Sequence, residues 1–294
     1  MSSLYGTSAV RRLSKKQQAE LDDALMPLAE AERPTSVRSM YYMAMGAGLV
    51  DKDKQGSTGN YDKIQRRVLA LRREGRMPYH WITDGSRTVY TSLRFDDPDD
   101  FAGHAAAIYK KDYWTDSPVA VEVWVEKDAM AGKLTPVVRD EFGLGLYVSR
   151  GFSSETYLQE AASQIRSDGR PTYIYLLADF DASGVGIAET VERELTKMAA
   201  PVEVNVEKLA ATGEQIREYG LITQPVTMSD SRAKKFIERY GNETVELDAI
   251  PASEVRRMVR EAIEIHMDPR HLEIQRMAER EEREGIRALL GGAA

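Results

Sequence analysis

The spacing of apolar residues divides the chain into a helical front and a strand-helix alternation behind it. In residues 14–32, Leu21, Leu25 and Leu28 fall on one helical face. Pro34 ends that helix, and Thr35 or Ser36 is placed to cap a second one running through Val37, Met40, Tyr41 and Met45 to Gly46 or Gly48. A polar loop, 51–59, precedes a basic helix expected over 61–74. Its Ile64, Val68 and Leu71 point inward, while Arg66, Arg67, Arg72 and Arg73 point largely outward. Pro78 stops it, and residues 79–90 read as two short strands around the turn Asp84-Gly85. Helix, turn, basic helix and hairpin is the order of a winged helix-turn-helix, whose second helix enters the DNA major groove. Residues 1–95 are therefore expected to form a DNA-binding domain. Arg66, Arg67, Arg72, Arg73, Arg76 and Arg87 are its candidate phosphate contacts, although a charged helix face is also what a solvated surface needs.

Residues 96–117 carry a connecting helix over 97–109. From Pro118 the pattern changes. Strands are expected at 119–125, 144–148, 173–178 and 202–206, separated by helices at 129–142, 153–167 and 183–199. Such alternation predicts an α/β fold with a parallel sheet flanked by helices, binding ligands beyond the C-terminal strand ends. Further helices are expected at 213–219, 230–240 and 252–266, with an edge strand at 244–247. This second domain spans 118–268. The segment 269–294 is densely charged and reads as an exposed or partner-facing helix.

Composition sharpens this picture. With 42% hydrophobic residues in 294, a proper core is expected. The absence of cysteine excludes disulfides, thiolate zinc sites and thiol nucleophiles. His80, His104, His266 and His271 have no zinc spacing. No secretory signal is visible in the polar, basic residues 1–16, and no run approaches the ~20 apolar residues that span a bilayer. A cytoplasmic protein without membrane contact is expected. The net charge of −7 is unevenly spread. Residues 1–95 hold 16 Lys and Arg against 10 Asp and Glu, and residues 96–294 hold 24 against 37. A DNA-gripping module joined to a carboxylate-rich one fits that asymmetry, as does an acidic solvated surface.

Two of the expected strands end in acids. One runs into Glu126-Lys127-Asp128, the other into Asp179-Phe180-Asp181-Ala182-Ser183-Gly184. Parallel neighbours would bring Glu126, Asp179 and Asp181 to one edge, with Asp179 and Asp181 facing the same way. Three carboxylates so close repel unless a hard cation joins them, and Mg2+ takes such ligands while keeping waters for a phosphate to displace. Helix capping also accounts for an acid such as Asp181. It does not account for two acids flanking Phe180, or for the matching acid on another strand. Gly184-Val185-Gly186 hints at a dinucleotide loop, but Glu189 stands where the last glycine belongs. No Gly-x-x-x-x-Gly-Lys-Ser/Thr stretch exists. Glu246 and Asp248 fit either a place near these acids or a plain edge strand, and the edge strand is the preferred reading.

Val125-Glu126-Lys127-Asp128-Ala129, Arg150-Gly151-Phe152-Ser153 and Asp179-Phe180-Asp181-Ala182-Ser183-Gly184 together resemble the Toprim domain of the topoisomerase VI A subunit and its relative, the meiotic double-strand-break transesterase. The resemblance covers roughly residues 34–250. It implies a winged helix before a Toprim domain, with Glu126, Asp179 and Asp181 as ligands of Mg2+ and Glu126 able to relay a proton. Ser36-Val37-Arg38-Ser39-Met40-Tyr41-Tyr42 resembles the family's nucleophile segment, which implies Tyr42 as nucleophile and Arg38, one helical turn earlier, as a phosphate holder. A tyrosine of pKa ~10 needs activation to attack at neutral pH. Either tyrosine also suits the core of an amphipathic helix. The resemblance further implies double-stranded DNA as substrate, a homodimer in which the tyrosine of one subunit meets the acids of the other, and an ATPase partner subunit for strand passage. Two other functions fit these residues: a hydrolytic Toprim nuclease with a structural Tyr42, and a non-catalytic DNA-binding or assembly protein.

Overall fold

The computed structural model describes residues 14–51, 59–82, 92, 94–149, 151 and 155–291. The chain divides into two units, Met1–Thr83 with Pro251–Ser253, and Asp84–Ile250 with Glu254–Ala294.

In the first unit, Ser14 opens α1 (Lys15–Glu32) with a capping box to Gln17. Ser36 caps α2 (Val37–Gly46) by accepting from the Ser39 N–H. Helix α3 (Gly59–Arg73) buries Ile64, Val68 and Leu71, the face its periodicity predicts. The three helices pack on one another. The beginning of the expected hairpin is different: Tyr79–Trp81 is a 3-10 turn, and Ile82 makes a parallel bridge to Thr35. Pro78, with its fixed φ and no N–H to give, favours a turn over a paired strand there. The rest of that hairpin, with Asp84-Gly85 and Arg87, lies outside the described residues.

The second unit is built on β1 (Ala120–Val125), β2 (Leu146–Val148), β3 (Thr172–Leu177) and β4 (Val204–Ala210), all parallel in the order β2-β1-β3-β4. Alternation along β3 sorts the two faces. Ile174 and Leu176 meet Leu158, Ile165, Ile187 and Leu195 of α6 (Glu155–Asp168) and α7 (Ala182–Met198). Tyr175 and Leu177 belong to the opposite core, with Met130 and Leu134 of α5 (Asp128–Thr135) and Val255 and Val259 of a later helix. The helix expected over 129–142 is α-helical only to Thr135, after which Pro136–Glu141 winds as a π-helix. Pro136 cannot donate into the α-helical ladder, so the winding changes at that point.

Helix α4 (Pro98–Ile108) starts at the Asp97 cap and belongs to this unit. After β4 come α8 (Gly213–Glu218), β5 (Gln224–Pro225), α9 (Ala233–Tyr240), β6 (Glu243–Thr244), α10 (Ala252–Glu264) and α11 (Pro269–Gly291). Strand β6 pairs antiparallel with β5. Helix α11 packs along α4, burying Leu272 and Glu279 and leaving its other residues exposed or half-buried. Its buried Glu279 accepts from Tyr113 Oη at 2.7 Å and the Lys111 N–H at 3.0 Å, and Glu282 accepts from Tyr109 Oη at 2.6 Å. Three residues apart, the two acids share a helix face, so they read as solvated charge while serving as acceptors for a neighbouring segment. No helix among the described residues is long and apolar enough to cross a membrane.

Candidate acid edge at the strand ends

The parallel register sets Val125 beside Leu177, so β1 and β3 deliver their acids at the same level. The Glu126 N–H donates to Leu177 O at 3.0 Å. In return the Asp179 N–H donates to Glu126 Oε2 at 3.3 Å, which ties the two acid-bearing ends together. Phe180 then leaves the sheet. It exchanges backbone bonds of 2.8 and 3.0 Å with Val245, and its ring lies 5.2 Å from Phe236 and 5.6 Å from Tyr240. An apolar anchor thus separates two acids. Asp181 Oδ1 accepts from the Gly184 N–H at 2.7 Å and caps α7, so its capping role is realised. Gly184 is required for contact: a Cβ there would stand 2.1 Å from the Asp179 carbonyl oxygen.

Asp179 is the most heavily held of the three. Its Oδ2 accepts from Lys127 Nζ at 2.7 Å, and its Oδ1 accepts from the Leu247 N–H at 3.0 Å. Glu246 Oε2 lies 3.9 Å from the same ammonium. Burial opposes the Lys127 charge, but Asp179, then Glu246 and Asp248, outweigh it and hold the ammonium above its ordinary value. Burial, then the Asp179 charge, push the Glu126 carboxyl up, and Asp181 adds to this. Behind the edge, Lys208 Nζ donates to the carbonyls of Ala178 and Asp179, both at 3.1 Å, and to that of Ala211. Burial lowers Lys208 to about 8, against the pull of Asp179, Asp181 and Glu126.

The donor set suits a hard divalent cation: oxygen ligands only, at adjacent strand ends, with one carboxyl raised by burial and then by the neighbouring Asp179 charge. The side chains are not gathered around one point, however. Among the described residues no group of three Asp, Glu, His or Cys side chains is arranged to hold a metal ion. Lys127 and the Leu247 N–H already engage both oxygens of Asp179, and α7 engages Oδ1 of Asp181.

Lys127, Lys208 and Glu246 are site residues that the strand pattern did not assign. Lys127 was visible between two acids. Lys208 falls beyond the expected end of its strand at 206, which in fact continues to Ala210. Glu246 is at the acid edge through the Phe180–Val245 bridge rather than as a mere edge-strand residue.

In the first unit, Tyr42 is buried at 9% exposure, its ring 5.5 Å from that of Tyr41, which meets Tyr61 at 5.7 Å. Arg38 is exposed. The basic helix is divided in its duties. Arg67 forks Asp22 through Nε and Nη2, Arg76 binds Asp23 at 2.7 Å, and Arg72 lies over the Tyr79 ring at 4.5 Å. Arg66 and Arg73 remain on the exposed face. No protein-family model matches this chain, and a search of curated proteins returns no match.

Proposed function

We propose that the chain is a magnesium-dependent DNA-cleaving enzyme of the topoisomerase VI A kind, working as a homodimer on double-stranded DNA with an ATPase partner subunit. The observation that carries this reading is the link between strand ends: Asp179 N–H to Glu126 Oε2 at 3.3 Å, with Asp181 two residues on and Phe180 anchored between. Glu126, Asp179 and Asp181 would hold Mg2+, which when bound would supply positive charge to offset the negative charge that develops as the phosphodiester reacts. The other parts belong to the chain itself. Arg38 holds the scissile phosphate, and Arg66 and Arg73 hold backbone phosphates. Tyr42 Oη attacks phosphorus as it loses its proton. The bond from phosphorus to the deoxyribose oxygen breaks, and that oxygen takes up a proton. Glu126, with its carboxyl raised by burial and Asp179, is suited to relay protons near the acid edge. One phosphoester replaces another, so the link is reversible.

A second reading is hydrolysis by water at the same acids with Tyr42 structural. The burial of the Tyr42 side chain favours it. Incubating the protein with supercoiled plasmid and Mg2+, with and without subsequent protease, separates the two. Transesterification predicts DNA ends released only after protease and no adduct with Tyr42→Phe. Adduct retained in that variant sinks the tyrosine assignment, and cleavage that survives Tyr42→Phe but not Asp179→Ala supports hydrolysis. Wild-type behaviour of an Asp181→Ala variant points instead to a non-catalytic DNA-binding protein.

A further inference from the structure

In the acidic half of the chain, one cleft among the described residues inverts the local charge. A cleft of about 370 Å3 lies between α7 and α9, and Ala182, directly after the Asp181 cap, is part of its lining. Four cations line it: Arg193 from α7, Lys235 and Arg239 from α9, and Arg232 just before α9. The one acid in the lining is Glu189. Residues 96–294 as a whole hold 24 Lys and Arg against 37 Asp and Glu, so the cleft departs from its surroundings.

Helical spacing makes this a track. Arg232, Lys235 and Arg239 recur at intervals of three and four, as do Ala182, Gly186, Glu189 and Arg193 along α7. From Ala182 to Arg193 the α7 side extends about 16 Å from the acid-bearing end. The cations are available to a ligand. Arg193 binds Glu194 at 2.9 Å and Arg239 binds Glu189 at 2.8 Å, with side-chain exposures of 64% and 67% for the two arginines. Such exposed pairs contribute little and exchange readily for a phosphate, which accepts from a guanidinium with two oxygens. Lys235 is exposed and makes no ion pair among the described residues. Arg232 is held by Asp230 at 3.0 Å and feels the charge of Asp181, which links the track electrostatically to the acid edge.

We propose that this cleft binds the phosphodiester backbone of the DNA strand that reaches the acid edge, a contact separate from the arginines of α3. The inference rests on the DNA-cleaving reading. It also accounts for how an acidic half that repels DNA overall can still bring a phosphate to three carboxylates: the α7–α9 cations offset that repulsion beside the site.

The test is fluorescence anisotropy of a short labelled duplex with the full chain in EDTA, across a salt series. The double variant Lys235→Glu, Arg239→Glu is expected to bind on the order of tenfold more weakly, with a salt slope shallower by about two. Lys234→Glu, an exposed neighbour outside the cleft, makes the same charge change per residue and is expected to shift binding by less than about twofold. If the reversal pair melts early, Lys235→Gln, Arg239→Gln takes its place, with a loss of about threefold expected. Binding unchanged in the cleft variants, or an equal loss in Lys234→Glu, overturns the cleft assignment. Plasmid cleavage by the same wild-type preparation then keeps the enzymatic reading standing. A wild-type protein that binds no DNA overturns both.

Discussion

Two Lys–Asp pairs, of nearly equal length, grow from the same stretch of chain and serve opposite ends. Lys127 and Lys133 stand six residues apart at the start of α5 and within it. Lys127 meets Asp179 at 2.7 Å, and Lys133 meets Asp248 at 2.6 Å. The first pair keeps side-chain exposures of 32% and 13%, and the second keeps 1% and 1%. Burial pulls the Lys133 ammonium below its ordinary value even with Asp248 beside it, whereas the Lys127 ammonium is held above its own. In the dry location water cannot stand in for a lost partner. In the wetter one, solvent and incoming ions compete for both partners. The Lys133–Asp248 pair therefore acts as a fastening. It secures the 245–248 segment, from which Leu247 N–H holds Asp179 and Val245 holds Phe180. The Lys127–Asp179 pair is the more solvent-accessible counterion arrangement of the two.

The contrast breaks most visibly at Lys133. Lys133→Met removes the 2.6 Å ion-pair partner of a buried carboxylate and is expected to cost about 3–5 kcal/mol in urea unfolding. Lys133→Met, Asp248→Leu should recover part of that loss, because both buried charges of the pair are removed together. A cost near zero for the single variant would remove the distinction between the pairs. Gly184→Ala tests the rigid backing of the wet pair. Its Cβ would press on the Asp179 carbonyl, and about 1–3 kcal/mol is expected, read by thermal melting.

Glu279 adds a buried acid held by hydrogen bonds as well as by charge. Burial works to raise its carboxyl, but Tyr113, the Lys111 N–H, Lys110 and Arg283 outweigh it and hold the group below its ordinary value. A depressed carboxyl adds stability that is fully present above its unfolded value and is lost as pH falls through the folded one. Glu279→Gln is thus expected to cost about 1–3 kcal/mol at neutral pH. Denaturant melts over an acid series should show the gap to wild type closing below pH ~4.5. A gap independent of pH would show that packing, not charge, sets the role of Glu279. The smallest stability effect is expected at Lys127, where replacement by Met should change unfolding by less than about 1 kcal/mol.

The alternation of strands and helices was legible because burial on both faces of a parallel sheet imposes it. Ile64, Val68 and Leu71 were legible for a similar reason, since one helix face must be apolar. Glu126, Asp179 and Asp181 stood out as acids at strand ends, but the adjacency of β1 and β3 that joins them is a matter of strand order, which alternation does not fix. What sequence did not reveal was who neutralises whom. Arg67 looked outward by periodicity, yet it turns to Asp22, 45 residues away. Glu279 resembled solvated charge until α11 met the segment after α4. Lys127 and Asp179 are 52 residues apart, and their pairing depends on the register of β1 and β3. Ion pairs of this kind are set by packing, and local patterns carry no trace of the partner.

Calorimetric titration of Mg2+ into the wild-type protein, Asp179→Asn and Lys127→Met tests the acid edge most directly. The account predicts saturable binding by wild type, its loss in Asp179→Asn, and tighter binding in Lys127→Met, where the competing ammonium is gone. Absence of Mg2+ binding by the wild type, or binding unchanged by Asp179→Asn, would contradict it.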